Sequence, residues 1–494
     1  MANILAFDFG ASSGRAIVGT LGGDGKLSLA EVYRFKNEPV TVGRDFFWDV
    51  LSLFKHCKNG LAKASMSGPP TGLAFDTWGV DFGLLGKNGE LLNNPFHYRH
   101  PHTADAIAEL DGLYGGNYNL FRATGISMQP FNSLCQLYAM RRDGNVALKN
   151  AAKLLFMPDL FNYFLTGETF AEATIASTSQ LAKPSGLQWC PEVFKPAGVS
   201  ERILSPIVRP GFKVGKVMAA VKSEINLHRD VDVYAAASHD TASAVAAVPS
   251  REQDFLYVSS GTWSLLGTVL DKPILTEEAF LGGYTNEGAA DGRIRFLKNI
   301  MGLWIIQECK RDYELSGEAI GFDQIAARAA AAPAFKCFID PDDKRFFVPY
   351  KMNDKIRDYC RETDQAAPDG IAEIGRCVFE SLALAYREAV ENLERIAGRK
   401  YKCIYIVGGG SGNTLLNQLT ADALGRPVYA GVPEATSVGN ILCQAAGIGL
   451  IANLDEGREV ARRSFEIKEY EPRDKEKWDE QYARYKKVTG TRDR

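Results

Sequence analysis

Two stretches of the chain follow one plan: an apolar strand, a tight bend of Ser and Gly, and a second apolar strand. The first is Phe7-Asp8-Phe9-Gly10-Ala11-Ser12-Ser13-Gly14-Arg15-Ala16-Ile17-Val18-Gly19, and the second is Phe255-Leu256-Tyr257-Val258-Ser259-Ser260-Gly261-Thr262-Trp263-Ser264-Leu265-Leu266-Gly267. One opens each half of a 494-residue chain, a length that splits into domains because single cores stop growing near about 250–300 residues. That placement suggests duplicated units with a cleft between them, although Ser and Gly are common in turns and two short matches also arise by chance. The expected fold class is α/β, with domains over residues 1–248 and 249–494.

Hydrophobic periodicity extends the plan. Ile4–Phe9, Arg15–Leu21 and Lys26–Phe35 read as a three-stranded meander, with Gly22-Gly23-Asp24-Gly25 as its second turn. Val50 to Ala64 reads as a helix with Leu51, Phe54 and Leu61 on its buried stripe, and Thr71–Phe75 as the next strand, ending at Asp76. In the second half Cys403–Val407 is a strand, Gly408-Gly409-Gly410-Ser411-Gly412 a turn, and Asn413–Leu424 a helix stopped by Gly425. Pro427-Val428-Tyr429 opens another strand, and Glu434–Gly449 a helix of small residues. The charged tail from Asp455 to Arg494 is expected to be a surface helix or a frayed terminus rather than core.

Composition narrows the function. Lys+Arg of 57 against Asp+Glu of 60 leaves a net charge of −3, so no broad cationic face exists to neutralise a nucleic-acid backbone. No apolar run reaches the ~18 residues of a membrane span, and Met1-Ala2-Asn3-Ile4 lacks a basic segment followed by a long apolar stretch, so no secretory signal is expected. The 9 cysteines show no zinc-ligand spacing; reduced thiols of a cytoplasmic protein are expected, while Cys360 and Cys377 could meet across the Glu362–Gly370 loop. Gly86-Lys87-Asn88 and Gly215-Lys216-Val217 both lack the hydroxyl of a P-loop. The turn after Phe9 lacks dinucleotide spacing, and Gly408–Gly412 is not a nucleophile elbow.

What remains is a different way of holding phosphate. Asp8 ends a strand and is followed by small residues whose N–H groups can approach phosphate oxygens, with Ser12, Ser13 and Arg15 as further donors. A carboxylate there suits a hydrated divalent cation; taken alone, a hairpin with a solvated Asp is the plainer reading. Asp240 follows the strand Val231–Ala237 and opens the helix Thr241–Val248, where it is either a helix cap or a base that orients a substrate hydroxyl. Phe75-Asp76-Thr77-Trp78-Gly79-Val80-Asp81-Phe82 offers carboxylates and an indole suited to sugar or, equally, to packing. Asn299, Trp304 and Gln307 fall on an expected helix, Phe296–Lys310, with Asn299 and Gln307 near one face.

In order, Asp8–Arg15, Asp76–Phe82, Ala237–Val245, Ser259–Ser264, Lys298–Trp304 and Val407–Gly410 resemble the FGGY carbohydrate kinases, from Asp8 to about Gly449. The resemblance implies two actin-like, ribonuclease-H-like domains with an interdomain cleft, and ATP and Mg²⁺ as cofactors. It implies phosphorylation of a ketose, L-rhamnulose, at its 1-hydroxyl. Related acceptors (fuculose, xylulose, glycerol) and a non-kinase actin-like nucleotide-gated protein are the alternatives. By position, Ala11, Ser12, Ser13, Gly14, Arg15 and Thr262 would hold the phosphates, and Gln307, Gly409 and Gly410 the rest of the nucleotide. Gly79, His239, Asp240, Thr241 and Asn299 would contact sugar, with Asp240 the proton acceptor and Asp8 holding Mg²⁺ through water. A monomer or small homo-oligomer without nucleic-acid or membrane partners is expected. One departure stands out: after Tyr98-Arg99 the chain has His100-Pro101-His102, where this branch tends to carry Asp and then Arg.

Overall fold

The computed structural model describes residues 2–184 and 186–490. It separates into two units whose chain segments interleave. The first takes Met1–Arg251, Val269–Phe296 and Glu434–Ser464; the second takes Glu252–Thr268, Leu297–Pro433 and Phe465–Arg494.

The first unit is built on a six-stranded sheet. Ala2–Phe9 pairs antiparallel with Ser13–Leu21, which pairs antiparallel with Leu27–Lys36. On its other side Ala2–Phe9 pairs parallel with Gly72–Thr77, and that strand pairs parallel with Asp232–Ala235. Phe212–Lys216 closes the edge antiparallel. Both faces of Ala2–Phe9 are covered, so its sequence is almost continuously apolar rather than alternating. Phe7 stacks on Phe75 at 4.8 Å and Phe9 meets Phe161 edge-on at 5.1 Å, which ties the two central strands to one aromatic core.

Helix Val50–Ser65 lies on this core, started by Asp49, whose carboxylate accepts from the Ser52 N–H at 3.1 Å. Its buried stripe is Val50, Leu53, Cys57, Gly60, Leu61 and Ala64. Leu51, expected on that stripe, is exposed. One residue is about 100° of helix, so assigning Leu51 rather than Val50 to the stripe turned that end of the face outward.

The second unit repeats the strand plan. Leu256–Ser260 pairs antiparallel with Trp263–Leu270, parallel with Ile404–Val407, and through it with Val428–Gly431. Ile467–Tyr470 closes the edge antiparallel. A hairpin, two further parallel strands and an antiparallel edge therefore recur, as the paired Ser/Gly bends led one to expect.

Two expectations fail here. The tail beyond Asp455 is not merely surface. Ile467–Tyr470 is a sheet strand, and helix Lys475–Thr489 buries Trp478, Tyr482 and Tyr485. Trp478 meets Phe335 edge-on at 4.9 Å, and Arg484 donates to the Phe335 carbonyl at 2.6 Å. The aromatics stand at helical spacing, but the charges between them mask the stripe; residues 491–494 of that tail lie outside the described residues. The expected helix Phe296–Lys310 is instead strand Ile294–Met301 followed by helix Trp304–Leu315. Asn299 and Gln307 therefore share no helix face. Among the described residues no helix is long and apolar enough to cross a membrane.

Candidate functional site

In the first unit the parallel strands end together, and three carboxylates gather there. Asp8 and Asp76 are direct register partners on adjacent strands. The third arrives from the loop after Asp232–Ala235: Thr77 donates its N–H to the Ser238 carbonyl at 2.9 Å, which sets His239 and Asp240 beside the other two strand ends. Carboxyl ends of parallel strands are where α/β folds place ligands, because the loops there diverge and leave backbone groups exposed.

The electrostatics of this group are unfavourable without a cation. Burial pushes Asp8 up to about 6, Arg15 opposes it, and the charges of Asp240 and Glu434 raise it further. Asp76 rises well above its ordinary value through burial and the neighbouring Asp8 charge. Its Oδ2 accepts from Asn440 Nδ2 at 2.6 Å. Its Oδ1 is buried and receives no donor. Clustered, desolvated carboxylates with an unsatisfied oxygen are the donor set a hard divalent cation requires. The residues fit such an ion.

The bend between the first two strands is held open by its neighbours. Gly10 N–H donates to the Ser13 carbonyl at 2.9 Å, while Asn37 donates to the carbonyls of Gly10 and Ser12 at 2.9 and 3.1 Å. Gly14 has no alternative, since a Cβ there would lie 2.1 Å from the Phe35 ring. The Arg15 guanidinium pairs with Asp8 at 3.3 Å and with Glu434. Ala11 to Arg15 thus form one rigid corner beside Asp8.

Asp240 is the first residue of helix Asp240–Ala246, with His239 at the N-cap position. That helix packs closely on Ala435–Ile448, where a Cβ on Gly439 would come within 1.7 Å of the Ser243 carbonyl oxygen. The loop before it is pinned from below. The buried Glu172 carboxylate accepts from Ser238 N–H at 3.1 Å, and Thr174 Oγ1 accepts from His239 N–H at 3.2 Å. The Asp240 side chain stays about a third exposed, and its Oδ1 lies 3.4 Å from His239 Nε2. Thr241 Oγ1 donates to the same Oδ1 at 3.0 Å.

His239 is itself oriented by two buried charges. Arg295 Nη2 approaches His239 Nδ1 at 2.9 Å and Glu287 Oε2 at 2.8 Å. Glu287 Oε2 also lies 3.2 Å from His239 Nδ1, so a guanidinium that only donates and a carboxylate that only accepts both face this ring nitrogen and fix the ring between them. Glu287 is pushed up by burial, but Arg295 and His239 outweigh that and hold it below its ordinary value.

Gly79 lies in the loop after Gly72–Thr77, where a Cβ would press on Thr178 at 3.1 Å. Beside it, Asp81 and Trp78 are structural. Asp81 Oδ2 accepts from Trp78 Nε1 at 2.9 Å and Trp48 Nε1 at 2.6 Å, and Trp78 lies against Trp48. His100 is likewise buried and faces Asp45 at 3.2 Å.

In the second unit the matching bend meets a glycine-lined loop. Gly302 and Trp304 N–H groups both donate to the Thr262 carbonyl at 3.2 Å, and Leu303 N–H donates to Gly261 at 3.0 Å. Thr262 Oγ1 faces Gln307 Oε1 at 3.5 Å. A Cβ on Gly410 would lie 2.0 Å from Ser260 Oγ, so only glycine lets that loop rest on the hairpin. Thr262, Gln307, Gly409 and Gly410 are thus one cluster; Asn299 lies on strand Ile294–Met301, before the Gly302 turn.

Glu172, Glu287, Arg295, Glu434 and Asn440 escaped the sequence reading. No local signal marked them: Glu287 lies among Thr285, Asn286 and Gly288 in Tyr284–Gly288, and Arg295 shares Ile294–Met301 with Lys298 and Asn299.

The family model for the N-terminal domain of the FGGY family of carbohydrate kinases matches residues 3–247, and that for the C-terminal domain matches residues 256–448. The chain is 42% identical over 485 residues to a rhamnulokinase from Bacteroides thetaiotaomicron, covering 98% of this chain and 99% of that one. It is 39% identical over 467 residues to a rhamnulokinase from Oceanobacillus iheyensis, covering 94% and 97%. Among solved structures, a ligand-bound xylulose kinase from Lactobacillus acidophilus shares the fold with a TM-score of 0.78 at 16% identity, over 99% of this chain and 96% of that one. A Plasmodium falciparum glycerol kinase with ADP gives 0.78 at 14% identity, over 99% and 97%.

Proposed function

The chain belongs to the FGGY family of carbohydrate kinases, and from that premise we propose that it transfers the γ-phosphoryl group of ATP to the 1-hydroxyl of L-rhamnulose. The products are L-rhamnulose 1-phosphate and ADP. Full-length likeness to rhamnulokinases supports the acceptor. The observation that carries the chemistry is the meeting of Asp8, Asp76 and Asp240 from three separate segments at the strand ends.

In this reading Asp240 receives the proton of the 1-hydroxyl as its oxygen bonds to the γ-phosphorus and the bond to the β-phosphate oxygen breaks. Transfer through a loose transition state asks chiefly for alignment, so a carboxylate placed beside the hydroxyl suffices. His239, Thr241 and Gly79 are assigned to the sugar, as is Asn299. Ala11 to Arg15 contact phosphate through N–H and hydroxyl groups, as does Thr262; Gln307, Gly409 and Gly410 receive the remainder of the nucleotide. Asp8, through water and with Asp76 beside it, would hold Mg²⁺, which neutralises charge on the transferring group when bound.

An ADP-release assay over L-rhamnulose, L-fuculose, D-xylulose and glycerol tests the acceptor. We expect kcat/KM for L-rhamnulose to lead by about 10–100-fold, the discrimination that a few acceptor-specific contacts supply. A higher value on any of the others removes the assignment.

Asp8 also predicts a pH dependence. A cation binds the ionised carboxylate, so below about 6 a proton must leave first. Affinity for Mn²⁺, followed by EPR, should therefore rise at least about tenfold per pH unit up to that value and flatten above it. Asp8→Asn should abolish the slope attributable to this group.

A further inference from the structure

Cys337, Cys360 and Cys377 converge in the second unit, and each offers a sulfur within 4.8 Å of the other two. We propose that these three sulfurs are a binding site for a soft monovalent metal ion, copper(I). All three are buried to 2% exposure or less. Cys337 follows helix Phe322–Ala331, Cys360 lies near the end of helix Met352–Glu362, and Cys377 lies within helix Gly370–Ala397.

The segments are fastened to one another by hydrogen bonds next to each sulfur. Gln365 donates its N–H to the Cys360 carbonyl at 2.8 Å, and its side chain exchanges two bonds of 2.8 Å with the backbone of Phe338, the neighbour of Cys337. Ser381 Oγ donates to the Cys377 carbonyl at 2.6 Å and accepts from Ile339 N–H at 3.0 Å. The triangle is therefore tied to the backbone that carries it. Metal–thiolate bonds of about 2.3 Å in a trigonal plane place sulfurs about 4 Å apart, within the spacing present.

The donor type selects the ion. Three sulfurs exclude the oxygen-seeking hard cations. Among the described residues the group has no fourth His, Cys, Asp or Glu ligand, whereas structural zinc takes four. A three-coordinate copper(I) centre needs no more than is there. Binding displaces the thiol protons to solvent, and no electron moves.

The test is anaerobic titration of the reduced, metal-free full chain with copper(I) against a bicinchoninate competitor. We expect one tight equivalent per chain, a three-sulfur shell in X-ray absorption, and about 100-fold or greater weakening in each of C337S, C360S and C377S. Copper uptake identical in wild type and all three variants overturns the proposal. So does a nitrogen, oxygen or two-sulfur shell on the wild type, a readout that stands even if a variant misfolds. A fully reduced wild-type chain that takes up no copper is equally fatal.

Discussion

Replacing Asp240 with Asn should lower kcat by about 10²–10⁴, the contribution of a positioned proton acceptor, while KM for ATP stays near its wild-type value. Asn is nearly the same size, and Thr241 Oγ1, which donates to Asp240 Oδ1 at 3.0 Å, can still donate to an amide oxygen. The loop that carries residue 240 is fixed by Glu172 and Thr174 through the Ser238 and His239 N–H groups, not by the Asp240 carboxylate. Fold and nucleotide affinity therefore survive, and only the proton's destination is lost. Turnover in D240N within a few-fold of wild type would remove Asp240 from the mechanism.

The same variant carries a second, independent readout. The Asp240 charge is one of the influences that raise Asp8 and Asp76. Neutralising it should shift the pH midpoint of Mn²⁺ binding downward even as turnover collapses. A merely misfolded protein would show neither a displaced midpoint nor intact ATP binding. This separates loss of the base from loss of structure.

Legibility in the sequence followed the range of the interactions. Asp8 and its bend were readable because strand, carboxylate and small residues are contiguous, and the same pattern at Ser259–Thr262 announced the repeated sheet. Asp240 was readable as a choice between cap and base, because a carboxylate opening a small-residue helix is a local pattern. The surroundings of the site are not local. Asn440 reaches Asp76 from a helix at the far end of the chain, and Glu434 reaches Arg15 the same way. Nothing near Asp76 in sequence distinguishes it from Asp81, yet one faces Asp8 and the other is satisfied by two indoles. Asn299 was misplaced because Phe296-Leu297-Lys298-Asn299-Ile300-Met301 carries apolar residues compatible with either period, and only pairing within the sheet settles it as strand.

The second large effect is expected at Glu287, which is not among the residues assigned to ATP. Arg295 is wholly excluded from solvent, its Nη1 has no partner, and Glu287 at 2.8 Å is its counter-ion. Glu287→Gln leaves that guanidinium as an uncompensated buried charge, a change that costs about 3–5 kcal/mol when one partner of a buried pair is removed. The urea midpoint should fall accordingly at pH 7. Glu287 is held below its ordinary value of 4.5, so the stability it contributes is present above that pH and is lost as pH falls through the lower, folded-state value. The gap between wild type and E287Q should therefore narrow in acid. Turnover should fall as well, because Arg295 and Glu287 together hold the His239 ring whose Nε2 lies 3.4 Å from Asp240 Oδ1. With the anchor gone, kcat should drop by about tenfold while KM for ATP holds, the pattern of an acceptor held at a poorer angle. If E287Q matched wild type in both urea midpoint and kcat, the Arg295–His239–Asp240 chain of positioning would be wrong.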